Sequence, residues 1–182
     1  MERLIVFGIL SVPVVILSWR ALFNPKSHGF YRFFGWECML WLFASNYRFW
    51  FDDPFSVKQI FSWILLFYSI YPAVAGAIQL RKAGKPGSNR DEKALYAFEK
   101  TSELVDTGIF KYIRHPLYSS LIFLTWGIFL KNTTVPLFVV ALSSTAFLWL
   151  TAIFDEKECV RYFGDTYVDY MKRSKRFVPY LI

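Results

Sequence analysis

Five apolar runs separated by polar connections set the pattern of this chain. They lie at about 4–22, 30–47, 56–80, 112–130 and 135–154, each long enough or nearly so to cross a bilayer as a helix. Three of the connections are short. The remaining one, 81–111, is polar and basic and is the main piece predicted outside the membrane. The run from Leu4 is not followed by a small-residue cleavage site, so it reads as a retained first span, with Pro13 inside it. The second run holds Glu37 five residues after Arg32. The two either neutralise each other, or Glu37 faces a polar cavity or fixes helix packing. The third ends in small residues, 73–77 around Gly76, which permit a neighbouring helix to come close. Within the long connection, GKPGSN at 84–89 lacks the spacing of a phosphate loop and reads as a linker. Residues 91–105 carry apolar positions at Leu95, Ala97, Phe98 and Leu104 between charges, predicting an amphipathic helix at the interface that ends by Gly108.

Composition agrees with the pattern. The 182 residues are 55% hydrophobic and 21% aromatic, with a mean hydropathy of +0.32, which sets the chain apart from soluble domains. A net charge of +7 raises the question of nucleic acid, but the basic residues are not gathered into a module with interleaved aromatics. Their distribution over the connections explains them instead. With 81–111 on the cytoplasmic side, only Arg3, Arg48, Lys58 and Lys131 of the 21 Lys and Arg fall outside, which predicts an outer N-terminus and a cytoplasmic C-terminus. The two cysteines cannot form a disulfide framework. With His28 and His115 the only imidazoles and no CxxC or HExxH, no metal is expected.

Two polar segments carry the candidate chemistry. Gly108 to Tyr118, GIFKYIRHPLY, sets Arg114 and His115 before Pro116 at the mouth of the fourth run, and charge at that depth marks a functional site by default. The second segment begins where the fifth run ends, with Asp155, Glu156 and Glu158. The two flank one apolar hairpin and are expected to meet. Glu156, Val160 and Phe163 recur at helical spacing, Gly164 breaks the helix, Asp165 caps the next, and Tyr167, Tyr170 and Arg173 follow every three residues. Aromatic faces attract an onium ion and a guanidinium grips a carboxylate, so a small ligand with a cationic centre and a flat base suits the set. S-adenosylmethionine is such a ligand, although spacing alone does not select it over a nucleotide.

GIFKYIRHPLY, the acidic pair, the FGDTYVDY run, the basic residue after it and the closing FVP resemble the integral membrane methyltransferases that include isoprenylcysteine carboxyl methyltransferase and the phospholipid methyltransferases. The resemblance covers the chain from Gly108 on. It implies an all-α polytopic membrane protein of about five spans, with a cytoplasmic cofactor site formed by the last two spans and the C-terminal segment. The whole of 1–182 would be one membrane-embedded methyltransferase domain: three spans in 1–80, the connection 81–111, the hairpin 112–154 and a cofactor-covering segment 155–182. The implied cofactor is S-adenosyl-L-methionine, held by Tyr112, Arg114, His115, Pro116, Tyr118, Phe163, Tyr167, Tyr170, Phe177 and Pro179. The implied catalytic residues are Glu156, which orients the acceptor or takes its proton, and Arg173, which orients a carboxylate. Asp155 stands where the family more often has glutamate, leaving open which of the pair works. The expected acceptor is a lipophilic molecule with a carboxylate or amine head, arriving through the membrane.

Two rival readings stand beside this one. The DEKEC run, the FG pair and the closing aromatic segment also resemble the C-termini of sterol reductases, which would imply NADPH. A helical subunit without enzymatic activity, packing against a partner, would need no cofactor at all.

Overall fold

The computed structural model describes residues 1–85 and 101–181. Six α-helices form over them: α1 (Glu2–Leu22), α2 (His28–Asn46), α3 (Val57–Ala83), α4 (Pro116–Phe129), α5 (Val135–Phe163) and α6 (Asp165–Arg173). No strand occurs among the described residues, only a single parallel bridge between Ile113 and Lys175. Three of the helices start on a residue whose side chain satisfies a free amide. Ser27, Ser56 and Thr134 accept from the amides of Gly29, Gln59 and Leu137 at the heads of α2, α3 and α5. Helix α4 begins instead on Pro116, whose missing N–H and fixed φ suit the first helical position.

Three helices, α1, α3 and α5, are long and apolar enough to cross a membrane. The five expected spans are thus supported in part. The fourth, expected over 112–130, has only 14 helical residues, because Gly108–Lys111 is a 3₁₀ turn and Tyr112 to His115 leads into Pro116 without helix. The second has 19 residues, but Arg32 and Glu37 sit among its aromatics and it falls short in hydropathy. Helix α5 runs nine residues past the predicted end of its span, carrying its acidic residues on the same rod. The linker expected beyond Lys85 and the amphipathic helix up to residue 100 lie outside the described residues. The described end of that predicted helix, 101–105, is not helical.

Helix α3 packs along α4, α2 along α5, and α1 along α2. One core joins Leu42, Leu66, Ile128, Phe129, Leu137 and Ala141. Polar side chains lock the helices where hydrocarbon offers no competing water. Ser62 donates to the Gly127 carbonyl at 2.7 Å, Ser144 to Gly35 at 3.0 Å and Asn46 to Ile128 at 2.8 Å. Glu37 accepts from Ser11 at 2.6 Å and so ties α2 to α1. Outward, Leu4, Ile9, Val12 and Ile16 on α1 and Ile64, Phe67 and Tyr71 on α3 are exposed, a surface suited to lipid. Gly76 on α3 meets Pro116 so closely that an added Cβ would lie 2.8 Å from the proline ring. The small-residue run therefore serves as the seat of the turn that opens α4.

Candidate active site

The two polar segments meet, as the hairpin reading expected. The C-terminal tail beyond α6 runs beside residues 112–115: Lys175 N–H donates to the Tyr112 carbonyl (2.9 Å), Arg114 N–H to Lys175 (2.7 Å) and His115 N–H to Arg176 (3.1 Å). Side chains reinforce the seam. Tyr170 Oη donates to the Phe110 carbonyl at 2.7 Å, Ser119 Oγ to Phe177 at 2.8 Å, and Arg114 Nη1 to the carbonyls of Met171 and Ser174. Gly164, at φ +59°, makes the corner that lets α6 leave α5, a conformation costly for residues with a Cβ.

Glu156 is the electrostatic hub of this seam. Its Oε1 accepts from Arg114 Nε (2.9 Å) and Arg176 Nε (3.0 Å), its Oε2 accepts from Arg176 Nη2 (2.7 Å), and His115 Nε2 stands 3.3 Å from Oε1. Fully engaged by two guanidiniums and an imidazole, the carboxylate has little capacity left to take a proton. The other nitrogen of His115, Nδ1, faces Asp155 Oδ2 at 3.5 Å. Burial alone would lower the His115 pKa, but the carboxylates on both sides outweigh it and hold the value above the ordinary histidine range. The two carboxylates thus favour its protonated form.

Against this hub lies a cavity with about 660 Å³ of empty volume, the open space at its mouth included. Of the sequence-predicted residues, Arg114, His115, Pro116 and Tyr118 line it from the head of α4, and Phe163, Tyr167 and Tyr170 from α5 and α6. Burial pushes the hydroxyl pKa of both Tyr167 and Tyr170 upward, so they face the cavity neutral. Sequence reasoning missed Asp155 and Cys159 as wall residues, along with Leu80 at the end of α3 and Leu104, Val105 and Phe110. Asp155, Cys159 and Phe163 are spaced by four, one position round the helix from the predicted Glu156, Val160 and Phe163 face. Tyr118 Oη donates to Asp155 Oδ2 at 3.2 Å.

Several predicted residues stand apart from the wall. Glu156 is behind it in the hub. Phe177 packs beneath, with Tyr118 and Ala152 and against Trp149. Tyr112 is half exposed, and Pro179 lies in the tail; neither lines the cavity. Arg173 is outside as well, its guanidinium exposed and paired with Asp106 at 2.5 Å. A three-residue spacing falls about 60° short of a full helical turn, so Arg173 has rotated away from the buried Tyr167 and Tyr170. The guanidinium from the C-terminal segment that joins Arg114 on Glu156 is Arg176, whose place in the tail gave no periodic signal.

A second buried pair lies close by. His28 Nδ1 and its backbone N–H both meet the Glu158 carboxylate, at 2.7 and 3.0 Å. With Asp155 these side chains bring three ligand-type atoms within 4.8 Å, the one such group among the described residues. Both Glu158 oxygens already accept from His28, so hydrogen bonding accounts for the pair.

The fold and the site define an all-helical integral membrane protein with an aromatic cavity, walled in part by a carboxylate and a histidine, at one end of a helical hairpin. A family model described as phospholipid methyltransferase matches residues 58–166, and the chain belongs to that family, a family of membrane methyltransferases. Methanethiol S-methyltransferase from Pseudomonas deceptionensis is 32% identical over 73 residues, which are 40% of this chain and 27% of that protein. The chain thus spans about a quarter of that relative's length. No solved structure matches.

Proposed function

We propose that this protein transfers the methyl group of S-adenosylmethionine to a lipophilic acceptor at the membrane. One observation carries the reading: the cavity joins buried tyrosines and Phe163 to Asp155 and His115. Such a donor set suits a cofactor that combines a sulfonium, a purine, an amino group, a carboxylate and ribose hydroxyls. Tyr118, Phe163, Tyr167 and Tyr170 would hold its flat and onium parts. Arg114 and His115 would face its carboxylate, and Asp155 its amino or hydroxyl groups. When bound, the cofactor supplies an electrophilic methyl carbon; the chain positions the acceptor and excludes water.

Within this proposal Glu156 organises Arg114, His115 and Arg176 and does not itself move a proton. Phe177 supports the His115 ring from below, at 6.2 Å between centroids. Tyr112 and Pro179 brace the tail seam, and Arg173 serves at the rim, where its partner Asp106 adjoins the wall residue Val105. The acceptor arrives laterally between helices, and its head is a carboxylate, an amine or, as in the matched relative's substrate, a thiol. We place the cavity on the cytoplasmic side, following the distribution of Lys and Arg. NADPH fits less well. Its phosphates call for several cations, whereas the described wall offers only Arg114 and His115.

Membranes carrying the protein, supplied with a tritiated methyl donor, are expected to put label into the solvent-extractable fraction, and Asp155→Asn to lower it about tenfold or more. Label no higher than in membranes lacking the protein would end this reading.

A further inference from the structure

His28 is fully buried at the first position of α2. An ionised carboxylate only accepts hydrogen bonds, so in a neutral His28 ring the 2.7 Å contact to Glu158 places the proton on Nδ1 and the lone pair on Nε2. Among the described residues, Nε2 is buried without a hydrogen-bond partner. Leaving such an acceptor unsatisfied is costly. Two hydrogen bonds to one carboxylate 130 residues away hold the ring in place despite that cost. A ring nitrogen of His28 also lies within 4.8 Å of a carboxylate oxygen of Asp155, which lines the cavity. His28 is not itself a wall residue; it lies behind the wall at Asp155, on the α2 side.

We propose that His28, oriented by Glu158, takes the proton from the head of the methyl acceptor, so that the acceptor is a nucleophile that carries a proton, a thiol or an amine, and not a carboxylate. This rests on the methyl transfer proposed above and narrows its acceptor class. As the lone pair of the head's sulfur or nitrogen bonds to the methyl carbon, the methyl–sulfur bond of the sulfonium breaks and its electron pair stays on the departing thioether sulfur. The head's proton passes to the Nε2 lone pair. The positive charge that leaves the sulfonium reappears on the imidazolium, beside the Glu158 carboxylate.

The chain has two histidines, so nitrogen-15 imidazole spectra of the detergent-purified protein are simple, and His115→Gln assigns them. The expected His28 spectrum has a protonated Nδ1 and a bare Nε2. Turnover is then read with decanethiol, decylamine and decanoate, which share an apolar tail and differ in the head. For His28→Gln and Glu158→Gln, S-adenosylhomocysteine affinity is expected to stay within about twofold, while kcat with the thiol and amine falls about a hundredfold or more. A protonated Nε2 in the wild-type protein overturns the inference, whatever the variants do. So does unchanged kcat in His28→Gln, or a wild-type protein that binds S-adenosylhomocysteine yet methylates decanoate alone or none of the three. In each of these cases binding of S-adenosylhomocysteine leaves the cofactor assignment standing. A wild-type protein that does not bind it removes the proposed function, and this inference with it.

Discussion

At the scale of single residues, the site turns on how few atoms separate a wall from its support. Asp155 and Glu156 are neighbours, yet one faces the cavity and the other is locked behind it between Arg114 and Arg176. Glu156→Gln removes the charge that compensates a guanidinium only 8% exposed. It is expected to destabilise the fold by about 3 kcal/mol or more, read from denaturant unfolding in detergent, because it strands a buried cation. Arg173→Gln breaks only an exposed pair and is expected to cost less than about 1 kcal/mol. His115 supplies a pH signature. Its folded pKa is raised, so its stabilisation is complete below the unfolded value of about 6.5 and is lost as pH climbs through the folded value. The wild-type melting midpoint is therefore expected to fall over that rise in pH, and that of His115→Gln to fall less; equal slopes would refute the raised His115 pKa. The RHP residues were legible in sequence because charge beside an apolar run is rare. Which carboxylate faces inward was not, since one residue turns a helix by about 100°. Arg176 and the His28–Glu158 pair were hidden for another reason. Their contacts join distant segments, and no local period marks them.

At the scale of elements, the site depends on how α3 seats the turn that opens α4. A side chain at Gly76 would press on Pro116, and the next two residues back are His115 and Arg114. Gly76→Val is thus expected to weaken S-adenosylhomocysteine binding about tenfold or more while far-ultraviolet circular dichroism stays unchanged. Undiminished affinity would mean that α3 does not position the RHP turn. The apolar runs revealed the helices well, with ends of α1, α2 and α3 within three residues of expectation. The pattern overstated α4 and understated α5. Hydropathy cannot tell the non-helical approach Tyr112 to His115 from a first helical turn, and it reads the acidic end of α5 as an exit although the backbone continues as helix to Phe163.

At the scale of the whole molecule, a lipid-suited shell surrounds a short polar site at one end. In a background with Cys38 and Cys159 replaced by Ser, single cysteines at the exposed positions Lys82 and Lys172 are expected to label from one side of the membrane, and at Asp52 and Thr133 from the other. Labelling of Lys82→Cys and Lys172→Cys from opposite sides would break the shared site. Composition and the apolar runs announced a membrane protein, and the C-terminal motifs announced its family, because each rests on residues close together in sequence. The His28–Glu158 contact was silent, as it joins α2 to α5. The central claim is that the cavity beneath the RHP turn binds the methyl donor, and isothermal titration of the purified protein tests it most directly. S-adenosylhomocysteine is expected to bind at one site per chain, with affinity reduced about tenfold or more in His115→Ala and in Tyr118→Phe, and NADPH to give no saturable heat. Saturable NADPH binding without S-adenosylhomocysteine binding, or unchanged affinity in both variants, would contradict the account.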